Sequence, residues 1–167
     1  LLHIYASYLS ADSATDRCSN IEALGNAMHR NAHSIFVGDW NFTLEDNDRY
    51  SFLASSPGWK PANSAESRLW SQTFGTRKPL TELYQPLATY YHSERCSRID
   101  RVYSSLAPSD LLAFDVDTKL VHLKQPLSDH KPVQFTISLK KNKNKGALPL
   151  WVWNHPWFNV AFKAAKV

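Results

Sequence analysis

Within the first forty residues the apolar pattern changes period twice, and that succession limits the architecture. His3 to Tyr8 alternates, with Ile4, Ala6 and Tyr8 on one side, which predicts a strand. Asp12-Ser13-Ala14-Thr15 then offers N-cap residues, and Ile21, Leu24 and Met28 recur at i, i+3 and i+7. That spacing is one face of an amphipathic helix, expected to end near Asn31 to His33. Ser34-Ile35-Phe36-Val37 is a continuous apolar run closed by Gly38, the pattern of a buried central strand. Strand, helix and strand in this order call for α/β or α+β layering.

Beyond this unit the pattern loosens. Residues 42 to 82 are rich in Ser, Asn, Pro and Gly with scattered Trp, and predict long loops with short helical pieces. Leu83 to Val102 contains an extended segment and a turn region at Tyr90 to Glu94, and a strand runs through Ile99 to Tyr103. Leu111 to Val116 and Lys119 to Leu123 suggest a strand pair. Pro132 to Leu139 places Val133, Phe135, Ile137 and Leu139 on one side, a half-buried closing strand. A Lys/Asn run from Lys140 to Lys145 followed by Gly-Ala-Leu-Pro has linker composition, so the domain is expected over residues 1–139, with a Lys-rich, Trp-rich tail over 140–167.

Composition supports a real core: of 167 residues, 43% are hydrophobic and 13% aromatic. No apolar stretch reaches eighteen residues, and Leu1-Leu2-His3-Ile4-Tyr5 lacks the regions of a signal peptide, which predicts an intracellular protein, nuclear or cytoplasmic, with no membrane partner. Opening on Leu inside a strand-like segment, the chain reads as a fragment. Cys18 and Cys96 have no metal-type spacing and read as two free thiols. Charge is uneven: residues 1–139 carry a net −2 and residues 140–167 a net +6. A polyanion-binding enzyme without a basic body is workable if a divalent metal and a few placed cations handle the phosphates.

Three polar motifs close β-branched or aromatic runs: Gly38-Asp39-Trp40-Asn41, Ser97-Arg98-Ile99-Asp100-Arg101-Val102-Tyr103, and Ser128-Asp129-His130-Lys131-Pro132-Val133. Cleaving a phosphodiester needs an oriented water, neutralised phosphate charge and help for the departing oxygen. Asp39 suits the first task, with Asn41 on the same side of an extended chain to fix water or phosphate. Gly, Asp and Asn are equally at home in a surface turn after a strand. Asp129 and His130 are adjacent, so their side chains diverge on an extended chain and should do different jobs. Asp100 stands between Arg98 and Arg101, which would satisfy it in a plain surface ion pair.

In order and wording the three motifs resemble the endonuclease/exonuclease/phosphatase superfamily, which includes abasic-site endonucleases, DNase I-like nucleases and LINE-type retrotransposon endonucleases. The resemblance runs from Tyr5 to about Leu139 and implies the second half of a four-layer αββα sandwich, hence α/β (α+β) and incomplete. It implies Mg2+ (or Mn2+) as cofactor and DNA as partner. By the same resemblance His130 contacts the scissile phosphate and pairs with Asp100, Asp129 matches an acidic metal ligand, and Tyr5 matches an active-site tyrosine; a strand tyrosine is also ordinary core packing. The family's early Asn and metal-binding Glu have no counterpart here, so the piece alone would be inactive.

Thr89-Tyr90-Tyr91-His92 through Arg101, and the tail Leu148-Pro149-Leu150-Trp151-Val152-Trp153-Asn154-His155-Pro156-Trp157-Phe158, are similar to LINE-type elements, in which a reverse transcriptase follows. The expectation is therefore a DNA-nicking retroelement endonuclease. A cellular abasic-site repair endonuclease, or a decayed non-catalytic remnant, would share the site residues.

Overall fold

The computed structural model describes residues 1–29, 32–77, 79–124 and 128–140. The expected Lys-rich run beyond residue 140 and the tryptophan-rich tail lie outside the described residues. Strand β1 (Leu2–Tyr8) leads into helix α1 (Ala14–Ala27) and strand β2 (His33–Asp39), and β1 and β2 pair in parallel. Ser13 caps α1, its side chain accepting from the Asp16 N–H. The helix stops at Ala27, earlier than its periodicity suggests, because Met28 takes an extended conformation while its N–H still reaches the Leu24 carbonyl.

β2 is flanked on its other side by β8 (Asp100–Ser104), antiparallel, and β8 by the short β5 (Thr81–Glu82), giving a sheet ordered β1-β2-β8-β5. Gly38 is dictated by the close approach of β1: a Cβ there would lie 1.9 Å from the Ser7 carbonyl oxygen. Residues in register share a face, so Tyr5, Phe36 and Tyr103 look one way, and Ile4, Ile35 and Ser104 the other.

The first face packs under α1 and helix α2 (Ser64–Trp70), which continues as a π-helical stretch, Ser71–Arg77. Phe36, Trp40, Phe42, Trp70 and Phe74 form its buried aromatic core, with Tyr5 stacked on Phe36 at 4.5 Å. Each such aromatic pair adds about 0.5–1.5 kcal/mol beyond its buried area. The second face builds a core from Ile35, Leu83, Val102 and Leu111, covered by Val133, Phe135 and Ile137 of β10 (Val133–Leu139).

Four further sequence expectations change. The stretch 42–82 holds short strands, β3 (Arg49–Ser51) and β4 (Gly58–Trp59), as well as helix. The expected turn region at Tyr90 to Glu94 is a hairpin of β6 (Tyr90–His92) and β7 (Arg95–Ser97), joined to β3 and β4 in a second sheet, β4-β3-β7-β6. The expected strand pair at 111–123 is a short helix α3 (Pro108–Leu111) and one strand β9 (Phe114–Leu120), whose partner is β10. Pro108 fits the first helical turn, and the alternation of Asp115, Val116, Asp117 and Thr118 runs unbroken through the supposed turn. Leu139 is exposed rather than half-buried.

Ile4 and Ile35 are register partners, yet Ile35 is 5% exposed and Ile4 63%. Strand β1 thus carries an uncovered row of Leu2, Ile4 and Tyr8 beside an edge with no partner among the described residues. Such an edge invites association. Residues 1–167 should therefore self-associate with rising concentration, and Ile4→Lys should shift sedimentation toward monomer without loss of helical signal. Unchanged association in that variant would place the contact elsewhere.

Candidate phosphodiester site

Asp39 ends β2 and Asp100 begins β8, and antiparallel pairing sets the two directly opposite one another on the same face. Two carboxylates so placed repel unless a positive group intervenes. His130 supplies it. Its Nδ1 donates to Asp100 Oδ2 at 2.9 Å and its Nε2 lies 3.7 Å from Asp39 Oδ2. All three side chains are half-buried or better, and each keeps some contact with solvent.

Asn41 completes the cluster. Its backbone N–H donates to Asp39 Oδ1 at 2.9 Å, and its amide donates to Asp39 Oδ2 at 3.0 Å and to the Leu9 carbonyl at 2.9 Å. It adopts a positive φ of 50°, a conformation Asn tolerates better than most residues. Trp40, between them, turns into the aromatic core and donates to the Arg101 carbonyl. Burial pushes the Asp39 carboxyl above its usual range; the Asn41 N–H opposes this, and the Asp100 carboxylate adds to it.

Backbone contacts fix the histidine. Residues 129–131 run antiparallel to 89–91: Tyr90 and His130 form a bridge, Tyr91 N–H donates to the Asp129 carbonyl at 2.9 Å, and Lys131 N–H to the Thr89 carbonyl at 2.7 Å. Thr89, fully buried, also accepts through Oγ1 from the N–H groups of Ile99 and Asp100, at 3.1 and 2.9 Å. One residue therefore ties together the segments that carry Asp100 and His130.

The arginines flanking Asp100 do not pair with it. Arg98 and Arg101 both turn inward to Asp48, Arg98 Nε reaching Asp48 Oδ1 at 2.8 Å and Arg101 bonding Asp48 Oδ2, while Arg98 also bonds Glu82. Sequence reading missed Asp48, Glu82 and Thr89. The signal for the first two was present in Arg98-Ile99-Asp100-Arg101, where charged residues enter a strand that must be buried; Thr89 carries no comparable mark.

The structure thus brings together Asp39, Asn41, Asp100 and His130, and leaves two expected residues apart. Tyr5 donates its hydroxyl to the Ala27 carbonyl and packs on Phe36, so it serves the core. Asp129 holds the exposed His92 at 2.8 Å. Among the described residues, the group able to offer ligand atoms to one metal ion is Asp39, Asp100 and His130, all within 4.8 Å. Two carboxylates suit a hard cation such as Mg2+ or Mn2+, which would need further oxygens, from water or phosphate, to complete its shell.

No family model matches the chain and no curated protein does. Solved structures do. An AP endonuclease from Archaeoglobus fulgidus aligns with a TM-score of 0.60 at 15% identity, covering 81% of this chain and 61% of that one. A 3'-5' exonuclease, NExo, from Neisseria meningitidis aligns at 0.56 and 17%, covering 80% and 60%. A 3' phosphatase NExo structure from Neisseria bound to a product DNA hairpin also aligns at 0.56 and 17%, covering 81% and 60%. The chain spans about three fifths of each. These likenesses show the fold: the mixed α/β architecture expected from the sequence is shared with these neighbours.

Two outcomes follow from the site's charges. Removing the Asp48 carboxylate leaves the buried Arg101 guanidinium without an acid partner and Arg98 with Glu82 alone, so Asp48→Ala should cost about 3–5 kcal/mol in urea unfolding; a loss under about 1 kcal/mol, the level of a surface pair, would show that water reaches the arginines. For Asp39, a folded pKa above the unfolded one means stability is lost as pH rises through the folded value. In metal-free buffer, Asp39→Asn should match the parent's Tm near pH 3 and exceed it near pH 7. A gap of opposite sign would show that the ionised carboxylate is favoured.

Proposed function

We propose that residues 1–139 are part of a Mg2+ (or Mn2+)-dependent endonuclease domain that nicks DNA, in a retroelement polypeptide that continues into a reverse transcriptase. The observation that carries the cleavage reading is the Asp39–His130–Asp100 constellation at adjoining strand ends. In it Asp39 orients and deprotonates the attacking water, and Asn41 steadies Asp39 and the water or phosphate beside it. His130, aligned by Asp100, presents positive charge to the scissile phosphate. A bound Mg2+ would neutralise phosphate charge and assist the departing oxygen, held by carboxylates of which Asp39 and Asp100 stand together. Asp129 would join them only by leaving His92.

DNA as substrate draws support from the hairpin-bound neighbour and from the motif wording. The retroelement reading draws on Thr89 to Arg101 and on the tail at 148–158. A cellular abasic-site endonuclease would present the same constellation without that tail. With the chain spanning about three fifths of its neighbours, the domain boundary at 139 and the reading as a C-terminal half belong to this proposal.

The test is single-turnover nicking by the parent-length protein at saturating Mg2+. His130→Ala should slow it about a hundredfold or more, the loss expected for one preorganised charge-stabilising group. Asp100→Asn should add little in that background, because residues acting as a unit are not additive. An unchanged rate in His130→Ala would overturn the cleavage reading, and fully additive losses would separate Asp100 from it.

A further inference from the structure

The second sheet presents a second surface. Its register sets Trp59 opposite Tyr50, Tyr50 opposite Cys96, and Cys96 opposite Tyr91. Cross-strand partners share a face, so these four side chains form one row across β4, β3, β7 and β6. Phe52, two residues beyond Tyr50, joins it with ring centroids 4.8 Å apart, and Trp59 meets Tyr50 edge-on at 5.1 Å. The row is not a core: Trp59 is 62% and Phe52 59% exposed.

A cation closes one end. Lys131 places its Nζ 3.9 Å from the centroid of the Tyr91 ring. Lys131 directly follows His130, and its N–H is locked to Thr89, so the row's charged end lies beside the phosphodiester site. Tyr90 turns its ring toward His130, while Tyr91, the next residue, turns to the row. None of the row's residues carries a carboxylate, and Asp129, two positions before Lys131, is held on His92.

We propose that this row binds an unpaired stretch of nucleic-acid strand, with bases stacking on Trp59, Phe52 and Tyr91 and a phosphate meeting Lys131. The ligand class rests on the phosphodiester reading above. Exposed aromatic rings set along a surface beside a cation are a means by which proteins hold single strands without reading sequence. A duplex offers such rings no base faces along its length. Three inter-strand steps of about 4.8 Å give the row a length of about 14 Å, enough for a few nucleotides.

The 167-residue chain can be tested directly, by fluorescence anisotropy with a labelled single-stranded oligothymidylate and with the same strand in duplex. Trp59→Ala and Tyr91→Ala should each weaken single-strand binding about tenfold, with the loss at Trp59 largely restored by Trp59→Phe. Lys131→Ala should lower the salt dependence of binding by about one phosphate contact. Unchanged single-strand affinity in variants with unaltered far-UV circular dichroism would overturn the proposal. So would affinity for the duplex that falls in parallel, or variants that lose only self-association, which marks the row as a protein interface. Binding alone reads the row and nicking by the His130 variant reads the cleavage site, so either can fail while the other stands.

Discussion

One carboxylate organises the ground on which the site is built. Asp48, almost fully buried, accepts from Arg98 with one oxygen and from Arg101 with the other, and its backbone carbonyl accepts the Arg98 N–H. Its Oδ2 also receives the N–H groups of Leu44 and Glu45, closing the turn after Phe42. Glu82 adds a second acid, so two arginines and two acids balance in charge where water is excluded. Burying such a set is expensive and gives little net stability against an apolar replacement; its effect is positional, because each charge has one place to go. With both flanking guanidinium groups drawn inward, Asp100 is left to face His130.

The opposed carboxylates follow from sheet register, not from a local turn. Asp39 and Asp100 lie sixty-one positions apart in sequence and become neighbours because Val37 pairs with Val102 and Gly38 with Arg101. A like-charge pair directly across two strands is destabilising. Burial already holds Asp39, the more deeply buried acid, above its usual pKa; the facing Asp100 adds to this and His130 offsets part of it. A cation or a cationic transition-state partner entering there relieves repulsion that the fold itself imposes.

Much of this was legible in the chain and some was not, for identifiable reasons. The β1-α1-β2 unit was readable because period and capping agree there: Ser13 caps, Ile21 is fully buried, and Ile35 and Phe36 sit in a central strand. The gathering of Asp39, Asn41, Asp100 and His130 was readable as motifs whose wording resembles a family. The second sheet was not. Its strands are two or three residues long, too short for an alternating pattern to emerge, and their stability comes from pairing across some forty intervening residues. Tyr5 illustrates a local limit: strand position fixes which face it takes, but only the packed α1 decides that its hydroxyl ends on the Ala27 carbonyl. Asp129 shows the same for a loop, where His92 on a hairpin hidden from the sequence captures it.

The site sits on the border of two cores with unequal cover. The face under α1 and α2 is sealed by aromatic residues, and Trp40 anchors the Asp39 turn in it. The opposite face, which carries the Asp39–Asp100 pair at its end, is covered by β10 over Ile35 and Val102 but bare over Ile4. Apolar cover over that face excludes water from the carboxylates' neighbourhood and strengthens every charge interaction there, so its completion and the site's electrostatics are one problem.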